Sequence, residues 1–257
     1  MRTQIIALPL INILKSTFKF VWQNKKVILP ILPVMLIIMA AQMIIRLSPA
    51  CTADLSSCSG TWYVIVLSII FSLINIAVTI NYCRAANGDT AFDYSSVKFI
   101  KRLAIYVVLL LAILLFAIAA MLPMGIVTLF TQDQLIWQTV LYIGLFIFGI
   151  LAAPLLLMFP ATAMDDYEFL SIQRLFRVAK YNHNALFWGL FLLSLSCFLP
   201  LLGLVMIFVL TSGLIEVREQ LWILLCSMII QLIYSSLKGA YYAHIYQFFK
   251  HIEKNTK

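Results

Sequence analysis

The chain has 257 residues, 63% of them hydrophobic and 11% charged, with a mean hydropathy of +1.02. A soluble domain runs near half apolar and a quarter charged, so this balance excludes an ordinary soluble enzyme, a disordered chain and a nucleic-acid-binding domain. A protein this small has too little interior to hide so much apolar surface, which must face lipid.

The N-terminal segment reads as an amphipathic helix. Ile11, Leu14, Phe18 and Val21 form an apolar stripe at helical spacing, with Asn12, Lys15, Lys19 and Gln23 on the polar face. The stretch Ile5–Leu14 follows Arg2, but Pro9 and Asn12 interrupt it and lysines follow it instead of a small-residue cleavage site. It is therefore expected to be mature sequence rather than a signal peptide. The first span is expected over Val27–Leu47, since a helix needs about 20 mostly apolar residues to cross the hydrocarbon.

A polar loop follows, with Cys51 and Cys58 seven residues apart. A disulfide in an oxidising compartment is the expectation. Free thiols are the alternative, and a metal pair has no His or third Cys nearby to complete it. Cys83, Cys197 and Cys226 read as small buried apolar residues. The second span is expected over Trp62–Tyr82. Asn87-Gly88 ends it, and Thr90 with Asp93 has capping-box spacing before the apolar positions Phe92, Phe99 and Leu103. Two more spans follow, Leu103–Phe130 and Leu135–Phe159.

The next connection reads as one surface helix. Thr162 and Asp165 have capping-box spacing. Phe169, Ile172, Phe176 and Ala179 form the stripe, and Arg174, Arg177 and Lys180 lie toward the C-terminal end, where cations suit the helix dipole. The last spans are expected over Ala185–Leu210 and Leu221–Tyr242. All six are apolar on every side, as lipid-surrounded helices are, and lack the alternation in roughly ten-residue segments of a membrane β-strand.

The charges separate by side. Sixteen of the 18 Lys and Arg residues fall at the N-terminus, in the second and fourth connections, or from Lys238 onward; only Arg46 and Arg218 fall on the other side. Basic residues at span ends stay cytoplasmic. The net charge of +8 is thus foremost a signal of topology, with both termini in the cytoplasm. The candidate contacts to anionic lipid headgroups are Lys15, Lys19, Lys101, Arg102, Arg174, Arg177 and Lys180; a solvated charged face is the plainer reading of each.

The three basic segments each precede a two-span hairpin, which suggests an internal repeat over 3–82, 89–159 and 164–245 within a single membrane domain, 1–257. Phe18-Lys19-Phe20-Val21-Trp22-Gln23-Asn24 lines up with Phe176-Arg177-Val178-Ala179-Lys180-Tyr181-Asn182. Convergence is the alternative. The pattern of Pro160, Asp165, Asp166, Ser171, Arg174 and Asn182 before a long span, with Phe18, Trp22 and Asn24 earlier and Tyr241, Tyr242, Tyr246, Phe248 and Lys250 at the end, resembles bacterial six-span proteins of the YciC type. It also resembles the membrane domain attached to some glycerophosphodiester phosphodiesterases. The resemblance implies a bacterial inner-membrane protein and brings no catalytic residues with it.

Few polar residues fall inside the spans. Asn75 and Gln231 are the candidate intramembrane contacts, as interhelical hydrogen-bond partners or as part of a polar path. No Asp, Glu, Arg or Lys is expected in the middle of a span, Lys238 and Arg46 lying near ends where they can snorkel. Asp165, Asp166 and Glu168 are better explained as helix caps than as a metal or acid–base cluster, because His183 would stand ~25 Å away along one helix. No nucleotide-binding, zinc-protease or nucleophile-elbow motif occurs. The expectation is an all-α polytopic bundle of six spans with cytoplasmic interfacial helices, without cofactor or metal. It would be a non-enzymatic protein of envelope or lipid organisation, whose partners are anionic lipids, another protein or a second copy. A transporter of a small or lipid-like substrate is the first alternative and a membrane-bound lipid enzyme the second.

Overall fold

The computed structural model describes residues 7–46, 61–89, 94, 96–129, 134–212 and 217–256. Cys51, Cys58, Thr90 and Asp93 lie outside them. Among the described residues every regular element is helical: α1 (Leu10–Gln23), α2 (Leu32–Arg46), α3 (Thr61–Ala86), α4 (Val97–Leu129), α5 (Gln134–Ala152), α6 (Met158–Ala163), α7 (Ile172–Ala179), α8 (His183–Ser212) and α9 (Val217–Thr256). Tighter 3-10 turns occupy Lys25–Val27, Ala153–Leu157 and Tyr167–Leu170.

Four stretches are long and apolar enough to cross a membrane: Ile65–Ala86, Val97–Ala119, Tyr142–Ala163 and His183–Gly203. They overlap four of the expected spans, with bounds that differ by two to eleven residues. The first expected span is shortened at its start. Pro30 and Pro33 follow the turn at Lys25–Val27, and the helix begins only at Leu32. Pro lacks the N–H that a helix interior uses, so the first turn, where that N–H has no partner to lose, is its least costly place. The sixth expected span lies within α9.

The helix ends are set by local chemistry. After α3, Gly88 adopts φ +92°, a left-handed conformation natural to glycine, and the amides of Asn87, Gly88 and Asp89 close back onto Arg84 and Ala85. At the start of α4, the Ser96 hydroxyl accepts the Phe99 amide at 3.1 Å, an N-cap in the usual register. The second basic segment is thus the first turns of α4 from Val97, with no separate surface helix between 96 and 102.

The fourth connection is broken where one helix was expected. Thr162 lies near the end of α6, and its hydroxyl bonds back to the Met158 carbonyl at 2.9 Å. Asp165 stands at φ +56°. Ser171 is extended and α7 starts after it. A Thr-x-x-Asp spacing marks a helix start only when Thr is non-helical. Here the preceding apolar run keeps Thr162 helical, and Asp165 takes a left-handed turn that Asp tolerates.

The chain divides into two compact units. One is Met1–Lys15, Asp93–Phe191 and Tyr241–Lys257; the other is Ser16–Phe92 and Leu192–Ala240. The core of the first includes an aromatic stack: Tyr106 against Phe159 (4.5 Å between ring centroids) and Phe159 against Tyr242 (5.8 Å, nearly parallel). The core of the second is Val27, Met35, Ile38, Phe71, Ile74, Val78, Tyr82, Met228 and Leu232.

Within the second unit α3 and α9 pack backbone to backbone. A Cβ on Gly239 would lie 2.3 Å from the Thr79 carbonyl oxygen. Polar side chains fasten the same seam. Ser235 donates to Asn75 Oδ1 at 3.0 Å, and the Thr79 hydroxyl reaches the carbonyls of Asn75 (2.9 Å) and Ser235 (3.1 Å). Lipid is as apolar as any side chain, so helices in a membrane hold together by such close packing and hydrogen bonding rather than by the hydrophobic effect.

Candidate membrane-surface site

In the first unit the fourth connection is fastened by charge. Arg102, from the first turns of α4, grips Asp165 with both Nε and Nη2, the former at 2.9 Å, a bidentate pair. Lys101 beside it lies 5.7 Å from the Tyr167 ring. Asp166 accepts from the Tyr246 hydroxyl and from Lys250 Nζ at 3.0 Å. Arg174 bonds Glu253 through Nε at 2.7 Å and Nη2 at 2.6 Å. Asn182 Oδ1 accepts the Leu8 amide at 2.9 Å. Asp165, Asp166, Arg174 and Asn182 thus all spend their polarity within the chain.

Two headgroup candidates are accordingly turned inward. Arg102 and Arg174 already hold carboxylates of this chain. Lys15, Lys19, Lys101, Arg177 and Lys180 are exposed. Sequence reasoning used Tyr246 and Lys250 only as part of the resemblance, without a partner, and passed over Glu253, although their spacing of four and three puts all three on one helical face.

Burial, with the hydrogen bond to Asp166 behind it, pushes the Tyr246 phenol up to about 12. Bonds to Tyr246 and Asp166 raise Lys250 above its usual range. Both folded-state values lie above the unfolded ones. The stabilisation they give is therefore complete below about pH 10 and is lost as pH rises through the folded values. Amide protection over 243–256, measured relative to the base-catalysed intrinsic rate at each pH, is expected to be high at pH 8 and to fall between about pH 10 and 12. Tyr246→Phe is expected to remove most of that transition. A profile unchanged in the variant rejects the assignment.

The surface helices show two apolar faces each. In α1, Ile13 and Thr17 are buried, whereas Ile11, Phe18 and Trp22 are exposed, Trp22 by 74%. Lys15 and Lys19 follow on the adjoining side, and Lys25 Nζ stands 3.8 Å over the Trp22 ring. In α7, Leu175 and Ala179 are buried while Ile172 is 58% and Phe176 36% exposed, next to Arg177 and Lys180. Of the stripes expected from the sequence, that of α1 has Ile11 and Phe18 exposed and Leu14 and Val21 half-buried, and that of α7 has Ile172 and Phe176 exposed and Ala179 buried.

In the second unit Asn75 is an interhelical partner, of Ser235 rather than Gln231. Gln231 is exposed and makes no hydrogen bond among the described residues. Asn75 is at the middle of the apolar stretch Ile65–Ala86, and it is level with Ser235, only three residues, or ~4.5 Å, before Lys238. Ser194, at the middle of His183–Gly203, likewise bonds Tyr234 at 3.0 Å.

No protein-family description, no curated protein and no solved structure matches the chain.

Proposed function

We propose that this is a six-span protein of a bacterial cytoplasmic membrane, with both termini in the cytoplasm, that organises anionic lipid around its basic surface helices. The observation that carries the reading is the exposed apolar band of α1 beside Lys15 and Lys19, matched in α7 by Ile172 and Phe176 beside Arg177 and Lys180. An apolar flank under a row of cations is the form of a helix lying in the headgroup layer. The charge separation along the sequence supports the orientation, and the resemblance to YciC-type proteins supports the membrane and the six spans. In this reading α2 and the first half of α9 cross with the four longer apolar stretches.

The test is lipid selectivity of the whole protein in mixed vesicles, read from spin-labelled phosphatidylglycerol and phosphatidylcholine. Wild type is expected to restrict the anionic lipid preferentially. Replacing Lys15, Lys19, Arg177 and Lys180 together by Gln is expected to bring the ratio toward one, as should 0.5 M salt, since exposed charges are screened over a few ångströms there. Equal restriction of both lipids by wild type overturns the proposal.

A further inference from the structure

α9 carries Ser227, Gln231, Tyr234 and Lys238 at spacings of four, three and four, which set them on one helical face. With Ser235 level with Asn75 at the middle of Ile65–Ala86, the ~16 Å stripe runs from ~12 Å on the Ser227 side of that middle to ~4.5 Å past it at Lys238, within a ~30 Å hydrocarbon layer. Tyr234 holds Ser194 of α8, and Phe198 packs on its ring at 5.4 Å. Lys238 Nζ stands 5.5 Å from the same ring.

Arg84, Arg102 and Arg174, all partly or fully buried, each hold a carboxylate. Half-buried Lys238 holds none among the described residues. An ammonium near the bilayer centre is costly on its own and marks a functional position by default; an aromatic face compensates only in part. Two turns before it, ~10.5 Å along the same face, exposed Gln231 offers an unused amide. The neighbouring face of α8 shows Leu195, Phe198 and Leu202, all exposed.

We propose that this stripe is a lateral track along which the headgroup of an anionic phospholipid crosses the bilayer interior, Lys238 meeting its phosphate midway while the acyl chains stay in the lipid beside Leu195, Phe198 and Leu202. The activity is passive exchange of phospholipid between leaflets. It rests on α9 crossing the membrane, and deepens the lipid-organising reading by naming what the protein does to the lipid. The cation sets the sign of the occupant. The α8 row favours lipid over a second helix: it lacks the small residues that let helices approach, and a phospholipid brings phosphate and apolar chain together.

The whole protein is reconstituted into vesicles carrying fluorescent phosphatidylglycerol or phosphatidylcholine, and outer-leaflet dye is reduced with dithionite. Wild type is expected to expose the inner-leaflet anionic probe at least tenfold faster than protein-free vesicles, and faster than the zwitterionic probe. Lys238→Met is expected to lose most of that rate, Lys238→Arg to keep it, and Gln231→Leu to lower it several-fold, all four proteins eluting alike on gel filtration. Rates equal to protein-free vesicles, rates indifferent to Lys238→Met, or carbodiimide coupling of Lys238 to a carboxylate of a second copy would overturn the proposal. The four-site surface variant separates the two readings. It alters lipid selectivity but is expected to leave the exchange rate within twofold.

Discussion

Replacing Gly239 by valine is expected to destabilise the second unit more than any other single change of comparable size. Even the first added carbon would sit 2.3 Å from the Thr79 carbonyl oxygen and 2.9 Å from Tyr82 Cβ. The carbonyl is backbone within α3 and cannot rotate away, so the two helices must part. Overpacking of this kind costs about 1–3 kcal/mol where the surroundings can yield, which sets the expectation for Gly239→Ala; the valine is expected to exceed it. Separation would also break the bonds of Ser235 to Asn75 and of Thr79 to the Ser235 carbonyl. Ser235→Ala removes one of those bonds without moving backbone, and hydrogen bonds between membrane helices average about 0.6 kcal/mol. Equilibrium unfolding in mixed micelles should therefore rank Gly239→Val well above Ser235→Ala. If the serine variant proves as damaging as the valine, hydrogen bonding rather than close approach holds the seam.

The second large effect is expected at Asp165, with an asymmetry between partners. The Arg102 side chain is 9% exposed and that of Asp165 41%. Asp165→Asn keeps a residue suited to φ +56° but leaves a guanidinium out of water facing a neutral amide, at an expected cost of about 2 kcal/mol. Arg102→Met leaves the carboxylate half in water and fills the buried position with an apolar side chain, and should cost less than about 1 kcal/mol. Combining the two should cost less than Asp165→Asn alone, because the buried charge is gone. Costs that simply add would mean that the two residues act independently.

How much of this the sequence discloses depends on which physical signal a residue carries. The long apolar runs give directly the four stretches long and apolar enough to cross a membrane, since little but helix satisfies backbone groups in lipid. Gly88 marks the end of α3 because its chemistry permits few alternatives. The Thr162/Asp165 spacing misleads because the same residues suit a helix start and a left-handed exit. Periodicity tells that Ile11, Leu14, Phe18 and Val21 share a side of α1; it does not tell protein from lipid, as both are apolar. Arg102 and Arg174 look like surface cations until partners 63 and 79 residues away are in place. The level of Lys238 beside α3 follows from which residue of α3 meets which residue of α9, a register that no run of apolar letters contains.

The fastening of the fourth connection has a consequence for synthesis. Asp165 finds Arg102 already made, 63 residues earlier. Tyr246 and Lys250 follow Asp166 by 80 and 84 residues, and Glu253 follows Arg174 by 79. At ~5–20 residues per second, a ribosome needs roughly 4–16 s to make that interval. For those seconds the connection is held on one side only, with two further apolar helices still to be threaded. Slower synthesis between Asp166 and Glu253 is expected to lengthen that interval in proportion.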